Sequence, residues 1–271
     1  MKKIKFFNNV NIMLFSVLIA MLISSCKYQE VAEVSFAEQK IYLPAASVAA
    51  LGIGGNGIYN INTLATPGQV FRYVINSSAN KFNVPLGVYR SGTQRNGVVN
   101  VNITTPTDTV TKLISNNFLA NTVLLPANRY TIEQSVTIPD GAEIAPFTIS
   151  VDLPYLLSNL NTNHAIAVRV ASPNVASNIL YNNVVIVINP AFLIPTSQFT
   201  SIVNGKSVSF NNISTNGVNY SWNFGDGSQA VTTKSPSHVY TNSGTYTVTL
   251  TSIGALGATN QAISTNVVVV P

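Results

Sequence analysis

Cysteine is almost missing from this sequence: Cys26 is the only one in 271 residues. A lone thiol cannot close a disulfide within the chain, so stability must come from apolar cores, which a chain of this length can build. Charge is nearly as scarce, Asp, Glu, Lys and Arg together making up 8%. Helical bundles usually present Lys and Glu on their exposed faces. Asn, Thr, Ser and Val take that place here, which suits β-strands with a neutral polar outer face. Histidine occurs twice, at His164 and His238. With one cysteine and no HxxxH or similar pair, these do not assemble the three or four ligands of a zinc site, so no metal cofactor is expected. No Gly-x-Ser-x-Gly elbow is present for a serine hydrolase. A basic stripe is missing too. The nearest candidates, Arg90 and Arg95, are separated by Ser91-Gly92-Thr93-Gln94, and no nucleic-acid partner is expected.

The features that are present begin at the N-terminus. Lys2, Lys3 and Lys5 precede an apolar run that opens near Ile12 and closes on Leu22-Ile23-Ser24-Ser25-Cys26. At about a dozen residues the run is too short to span a bilayer, which takes about 20. A basic start, a short apolar centre and small residues before a cut site form a secretory signal. The cysteine directly after Ser24-Ser25 makes it resemble a bacterial lipoprotein signal, in which that thiol is lipidated and becomes the new N-terminus. Such signals prefer Leu three places before the cysteine. Here Ile23 holds that place and Leu22 the one before. Three of the fourteen basic residues and none of the nine acids lie before Ser25, so the processed chain carries +2 rather than +5.

Residues 26–33 read as a lipidated tether, leading into a first domain over 34–189. Val34 and Phe36, then Ile41-Tyr42-Leu43, open it as strands. Gly52-Ile53-Gly54-Gly55-Asn56-Gly57 fits GxGxxG by letter. The next residues, Ile58-Tyr59-Asn60-Ile61, alternate like a strand, and no acid lies about twenty residues on, so a dinucleotide site is rejected. Runs over 70–75, 84–89, 98–103, 135–138, 147–153, 166–170 and 184–188 predict further strands. Ser91–Asn96 predicts a hairpin loop joining two of them. One short helix is expected, capped by Thr105, with Pro106 first and Asp108 third, and with Val110, Leu113, Ile114 and Phe118 on one face across the end of a sheet. Asn189-Pro190 and Ile194-Pro195 mark an extended linker over 190–196. A second domain covers 197–271. There Tyr220, Trp222 and Phe224 alternate on one strand, and Tyr246, Val248 and Leu250 alternate with threonines on another. The expected fold is all-β: two tandem Ig-like β-sandwiches, the first with one short helix.

Two resemblances bear on these domains. Tyr42-Leu43-Pro44, the short helix, Leu125-Pro126 before Tyr130, and Ser135-Val136-Thr137-Ile138 before Gly141 follow an order similar to the Ig-like N-terminal domain of unknown function on surface lipoproteins of the Bacteroidota. That family usually carries glycan-binding or glycan-degrading modules after this domain, which this sequence does not. Trp222-Asn223-Phe224-Gly225-Asp226-Gly227-Ser228, Pro236, His238-Val239-Tyr240 and Gly244-Thr245-Tyr246-Thr247-Val248 closely resemble the polycystic kidney disease (PKD) domain. That resemblance implies a seven-stranded sandwich used outside the cell as a spacer or binding module. Asp108-Thr109-Val110 also matches a short O-glycosylation signal of exported Bacteroidota proteins.

Few residues remain for chemistry. His238 has a packing role at a patterned position, and His164 sits in a predicted solvated turn. Asp140 and Asp226 belong to glycine turns. A calcium site at Asp226 and Asn223 would be thinly ligated, and Trp222 reads as core rather than as a sugar-stacking residue. Glu133, Glu143 and Asp152 are the acids left for a glycosidase pair, with Asp152 expected to point outward. The sequence therefore predicts a non-catalytic lipoprotein, anchored at Cys26 in the outer membrane and facing the cell surface, with the periplasmic face as the alternative. Its partner would be a glycan, met by exposed aromatics around Tyr59, Tyr73 or Tyr89. The rival functions are an assembly protein that binds another envelope protein and a small glycan hydrolase. Cys26→Ala should release the protein from membranes or leave it unprocessed. Unchanged fractionation with the membrane would refute the anchor.

Overall fold

The computed structural model describes residues 38–47, 57–64, 72–93 and 95–271. The signal, Cys26, the tether, the strand expected at Val34 and Phe36, and most of the 52–57 glycine run lie outside them. Glu38–Pro271 forms one compact unit. Its first part contains β1 (Lys40–Tyr42), β2 (Ile58–Ile61), β3 (Val74–Asn76), β4 (Lys81–Arg90), β5 (Val99–Thr104) and helix α1 (Thr107–Ser115). After these come β6 (Thr122–Leu124), β7 (Tyr130–Thr131), β8 (Ser135–Ile138), β9 (Ile144–Asp152), helix α2 (Leu153–Leu157), β10 (Asn163–Ala171), β11 (Ala176–Ser177) and β12 (Asn183–Ile188). One sheet runs β11-β1-β4-β9-β7, with β3 also on β4. The other runs β2-β12-β10-β5-β8, with β6 also on β10. Both are mixed, since β1–β11, β12–β2 and β10–β6 are parallel pairs.

The two sheets differ in what they bury. In β4, Phe82, Val84, Leu86 and Val88 face the core, and the residues between them do not. That alternation marks a strand with one wet face. By contrast β10 and β12 are buried on both sides. Ile166, Val168, Val184 and Ile186 enter the core between the sheets, whereas Ala165, Ala167, Val185 and Val187 meet a second apolar cluster behind. Helix α1 covers that back face through Val110, Leu113 and Ile114, the small alanines leaving room for it. It therefore lies over a sheet face rather than across a sheet end. Pro106 occupies the cap position without a side-chain hydrogen bond. Thr105 instead accepts a bond from the Tyr130 hydroxyl at 3.1 Å. Phe118 falls beyond the helix and is 70% exposed. The second helix, α2, carries no periodic signal in the sequence, because five residues around Pro154 are too short to show one.

Ser91–Asn96 does not close a hairpin. The strand before it pairs with β1, β3 and β9, and the strand after it pairs with β8 and β10, so the chain crosses from one sheet to the other. Arg90 holds this crossing. It is in phase with the buried residues of β4 and is 1% exposed. Its guanidinium donates to the carbonyls of Ala142 at 2.5 Å, Gly97 at 2.8 Å, Arg95 at 2.6 Å and Pro139 at 2.9 Å, with a longer bond to Asn96 at 3.5 Å. Asp140 completes the corner by accepting from the Gly97 amide at 2.6 Å. Nor do residues 190–196 form an extended linker. Pro190–Leu193 is a 3₁₀ turn capped by Asn189, and Phe192 and Leu193 are part of the first core.

The second sandwich contains β13 (Phe199–Asn204), β14 (Ser207–Asn212), β15 (Asn219–Asn223), β16 (Ser237–Val239), β17 (Gly244–Ile253) and β18 (Gln261–Val270). These form two three-stranded sheets, β13-β14-β16 and β15-β17-β18. Six strands are present among the described residues rather than the seven implied. The backbone after Phe224 turns through Gly225 to Ser228, and only Val231 returns, as an isolated bridge to Trp222. Trp222, Phe210, Phe224, Val248 and Leu250 fill the space between the sheets. From the β17–β18 hairpin, Leu256 packs against the first core. Arg90→Met should lower unfolding free energy by about 3 kcal/mol, because a buried side chain loses its charge-assisted bonds to four carbonyls of the crossing. Urea denaturation measures this, and Arg90→Lys should rescue little of it because an ammonium lacks the planar fork.

Candidate functional site

Helix α1 occupies the back of one sheet, and among the described residues no helix covers the outer face of the β11-β1-β4-β9-β7 sheet. At its β1 end, Tyr42 stands opposite Tyr89 in register, and Tyr89 stands opposite Ile144. The two tyrosine rings are 5.9 Å apart and tilted by 40°, both partly exposed. Gly87 lies two residues before Tyr89 on the same face. A Cβ there would come within 2.8 Å of Ile144 Cδ1 and 3.2 Å of Tyr89 Cε2. The missing side chain thus lets Tyr89 and Ile144 lie down across the sheet. The result is a low aromatic surface with Lys40 and the ion pair Arg95–Glu143, at 3.0 Å, placed around it in sequence and register.

The other two tyrosines anticipated for a ligand are not available. Tyr59 and Tyr73 are 8% and 7% exposed. Tyr73 stacks on Phe82 at 4.9 Å and tilts against Phe192 at 5.2 Å. Burial pushes the Tyr59 phenol above its ordinary pKa, with the Arg72 charge opposing. Tyr59 turns inward because β2 faces the inter-sheet core at that position, which alternation alone leaves undecided, and Tyr73, just before β3, packs into the same core.

The three acids considered for catalysis are held apart. Glu143 bonds Arg95, Asp152 points outward to Arg129 at 3.3 Å, and Glu133 accepts from the Thr148 amide at 3.0 Å. Glu143 and Asp152 flank opposite ends of β9, about 30 Å apart at strand rise. Thr148, which fixes Glu133, is still about 13 Å along the strand from Asp152. A glycosidase pair needs about 5 to 10 Å. Among the described residues no group of three or more His, Cys, Asp and Glu could hold a metal.

His164 is not in a solvated turn. The turn ends at Thr162, and His164 lies in β10, 1% exposed, edge-on to Tyr155 at 5.0 Å. Among the described residues neither ring nitrogen has a hydrogen-bond partner of good geometry, although the Asn159 backbone influences the ring. Burial holds its pKa below the ordinary histidine value, against a smaller opposing influence from the Asn159 backbone, so the ring is neutral at physiological pH.

In the second sandwich the patterned polar residues are consumed by structure. His238 Nε2 lies 2.7 Å from Asp226 Oδ2, and the ring stacks on Phe224 at 4.0 Å and 7°. Asp226 Oδ1 accepts from the Ser228 amide at 3.0 Å and from its hydroxyl at 2.6 Å. Burial would raise the Asp226 pKa, but the bonds from Ser228 and His238 outweigh it and bring it down to about 2. Trp222 is fully buried, its indole donating to the Thr233 carbonyl at 3.0 Å. Tyr240 donates to the Phe224 carbonyl at 3.0 Å, and burial, with Asp226 and Tyr246 adding, raises its phenol to about 12. Gly225 adopts φ +77°, and a Cβ there would strike the Thr247 backbone, so the turn requires glycine.

A family model described as a PKD domain matches residues 195–270. The PKD1 domain of the Vibrio cholerae metalloprotease PrtV is 34% identical over 28% of this chain and 96% of that one, with a TM-score of 0.27. The C-terminal part of the chain belongs to the PKD family. A second family model, described as an N-terminal domain, matches residues 53–177. Similar solved structures include an auxiliary nutrient binding protein from Bacteroides thetaiotaomicron, 13% identical, covering 78% of this chain and 70% of that one, with a TM-score of 0.38. Another is a multidomain protein including DUF1735 from Bacteroides ovatus, 13% identical, covering 85% and 71%, with a TM-score of 0.38. Likeness at that level carries no argument about ligand or activity. A search of curated proteins returns no match. In the PKD domain, Asp226→Asn should destabilise most at neutral pH. A depressed carboxylate contributes fully above its unfolded pKa near 4 and loses that contribution as pH falls to about 2. Urea titrations followed by Trp222 fluorescence should show the gap between the two proteins closing across that window.

Proposed function

We propose that this protein is a non-catalytic lipoprotein of the cell envelope, anchored through Cys26, whose first domain contacts a glycan and whose PKD domain acts as a spacer. The partly exposed pair Tyr42–Tyr89, held low over Gly87 on the open sheet face, carries the glycan reading. Two adjacent phenol faces offer the flat apolar surface that a pyranose ring covers with its C–H groups, and the phenol hydroxyls supply hydrogen bonds at the rim. Every patterned aromatic of the PKD domain is turned inward or half-buried, which favours a spacer over a second binding module. The separate partners of Glu133, Glu143 and Asp152 favour binding over hydrolysis. The sequence before Glu38 supports the outer membrane as its location, with the cell surface as the side that gives access to polysaccharide.

Affinity electrophoresis in gels containing neutral polysaccharides tests the reading with the chain from Lys27 onward. Retardation should appear with at least one polymer. Tyr89→Ala should weaken it by about tenfold, equivalent to about 1.4 kcal/mol. Gly87→Ala should also weaken it while lowering the melting temperature little, because the displaced atoms are the flexible end of Ile144. Retardation by no polymer, or an unchanged affinity in Tyr89→Ala, would remove the glycan reading.

A further inference from the structure

We infer that the free edge of β18 is a self-association surface, on which a second copy of this chain adds its own β18 antiparallel to make a continuous six-stranded sheet. At ten residues, β18 is much the longest edge strand among the described residues. The other edges are short: β13 has six residues, β15 five, β2 and β8 four, β16 three, and β7 and β11 two each. Among the described residues all the backbone hydrogen bonds of Gln261–Val270 go to β17, and the β13 segment reaches the strand only through side chains, Asn266 donating to the Phe199 carbonyl and Ser264 bonding Ser197, so the row of backbone amides and carbonyls on its other side is unpaired there.

Exposed edges are normally blunted by charge, proline, a bulge or shortness. None of these is present. The register with β17 runs unbroken through ten pairs. No Asp, Glu, Lys or Arg comes after Lys234 in the sequence, and no proline lies inside the strand. The outward side chains are β-branched and wet: Ile263 is 58% exposed, and Val267 and Val269 are 65% exposed each. Val268 and Val270, which alternate with them, are buried and fix which face is which.

Self-complementarity identifies the occupant. Pairing about a two-fold axis through Thr265 sets Ile263 of each copy opposite Val267 of the other, β-branched against β-branched, the kind of cross-strand contact that stabilises sheets. A neutral strand meets its own copy without like-charge repulsion, which would oppose self-pairing of a charged edge. The two-fold uses up both edges at once, so the assembly closes as a dimer rather than growing.

The chain from Lys27 onward retains the whole compact unit and has no native cysteine, which makes the test direct. Sedimentation velocity over a concentration series should show a monomer–dimer equilibrium. Thr265→Cys should form an intermolecular disulfide under mild oxidation, and Thr247→Cys, on the neighbouring strand, should not. Val267→Lys and Ile263→Glu should each weaken the dimer at least tenfold, and mixing the two should restore it, because positions 263 and 267 face each other across the pair. Near-ultraviolet circular dichroism from buried Trp222 confirms that each variant is folded. A chain that stays monomeric up to about 1 mM, the weak limit of specific association, would overturn the proposal. So would open-ended aggregation, or a dimer that forms the Thr247→Cys disulfide and not the Thr265→Cys one, which would mean stacking of sheet faces.

Discussion

A single buried cation holds the first domain's sheets in their relation to each other. Arg90 ends β4 on the core-facing phase, where an apolar residue would ordinarily sit, and its guanidinium gathers carbonyls from the crossing segment and from the turn after β8. Those carbonyls belong to irregular backbone that no ladder can satisfy. A planar group with five donors meets that need, and no other side chain offers as many in a fixed fork. The buried guanidinium thus ties the segment that leaves one sheet to the turn beside the other.

Once the crossing is fixed, the burial pattern is set. One sheet receives α1 on its back and becomes apolar on both faces, which explains why β10 and β12 read as continuous hydrophobic runs. The other keeps its outer face in water, and so it alone can present Tyr42 and Tyr89. The PKD domain is built differently. Its polar signature residues bond one another around a glycine turn, and its rings pack in a row, Phe224 stacked on His238, His238 edge-on to Tyr240 and Tyr240 stacked on Tyr246. A motif that dense in structural roles leaves little surface for chemistry.

The 3₁₀ turn at Pro190–Leu193 and Leu256 from the β17–β18 hairpin both pack on the first core. The two sandwiches are therefore joined by packed apolar side chains as well as by the chain itself.

The all-β class, most strands and the PKD signature were legible in the sequence, because a period of two and glycine-centred turns are local properties. The inward position of Trp222 was legible for the same reason, through its alternation with Tyr220 and Phe224. Which of two alternating faces is buried was not, and Tyr59 shows the consequence, because β2 could bury either parity until its neighbours were assigned. His164 is hidden for another reason: it lies in β10, which is buried on both faces. Pairing partners were equally hidden: Ser91–Asn96 has the composition of a hairpin loop and yet bridges two sheets. Arg90 left one faint signal, its parity with Phe82, Val84, Leu86 and Val88. The sequence by itself determined where strands form and where they turn. Only the tertiary structure decided which strands pair, which faces are dry and which edge stays open, because these depend on contacts between residues far apart in the chain.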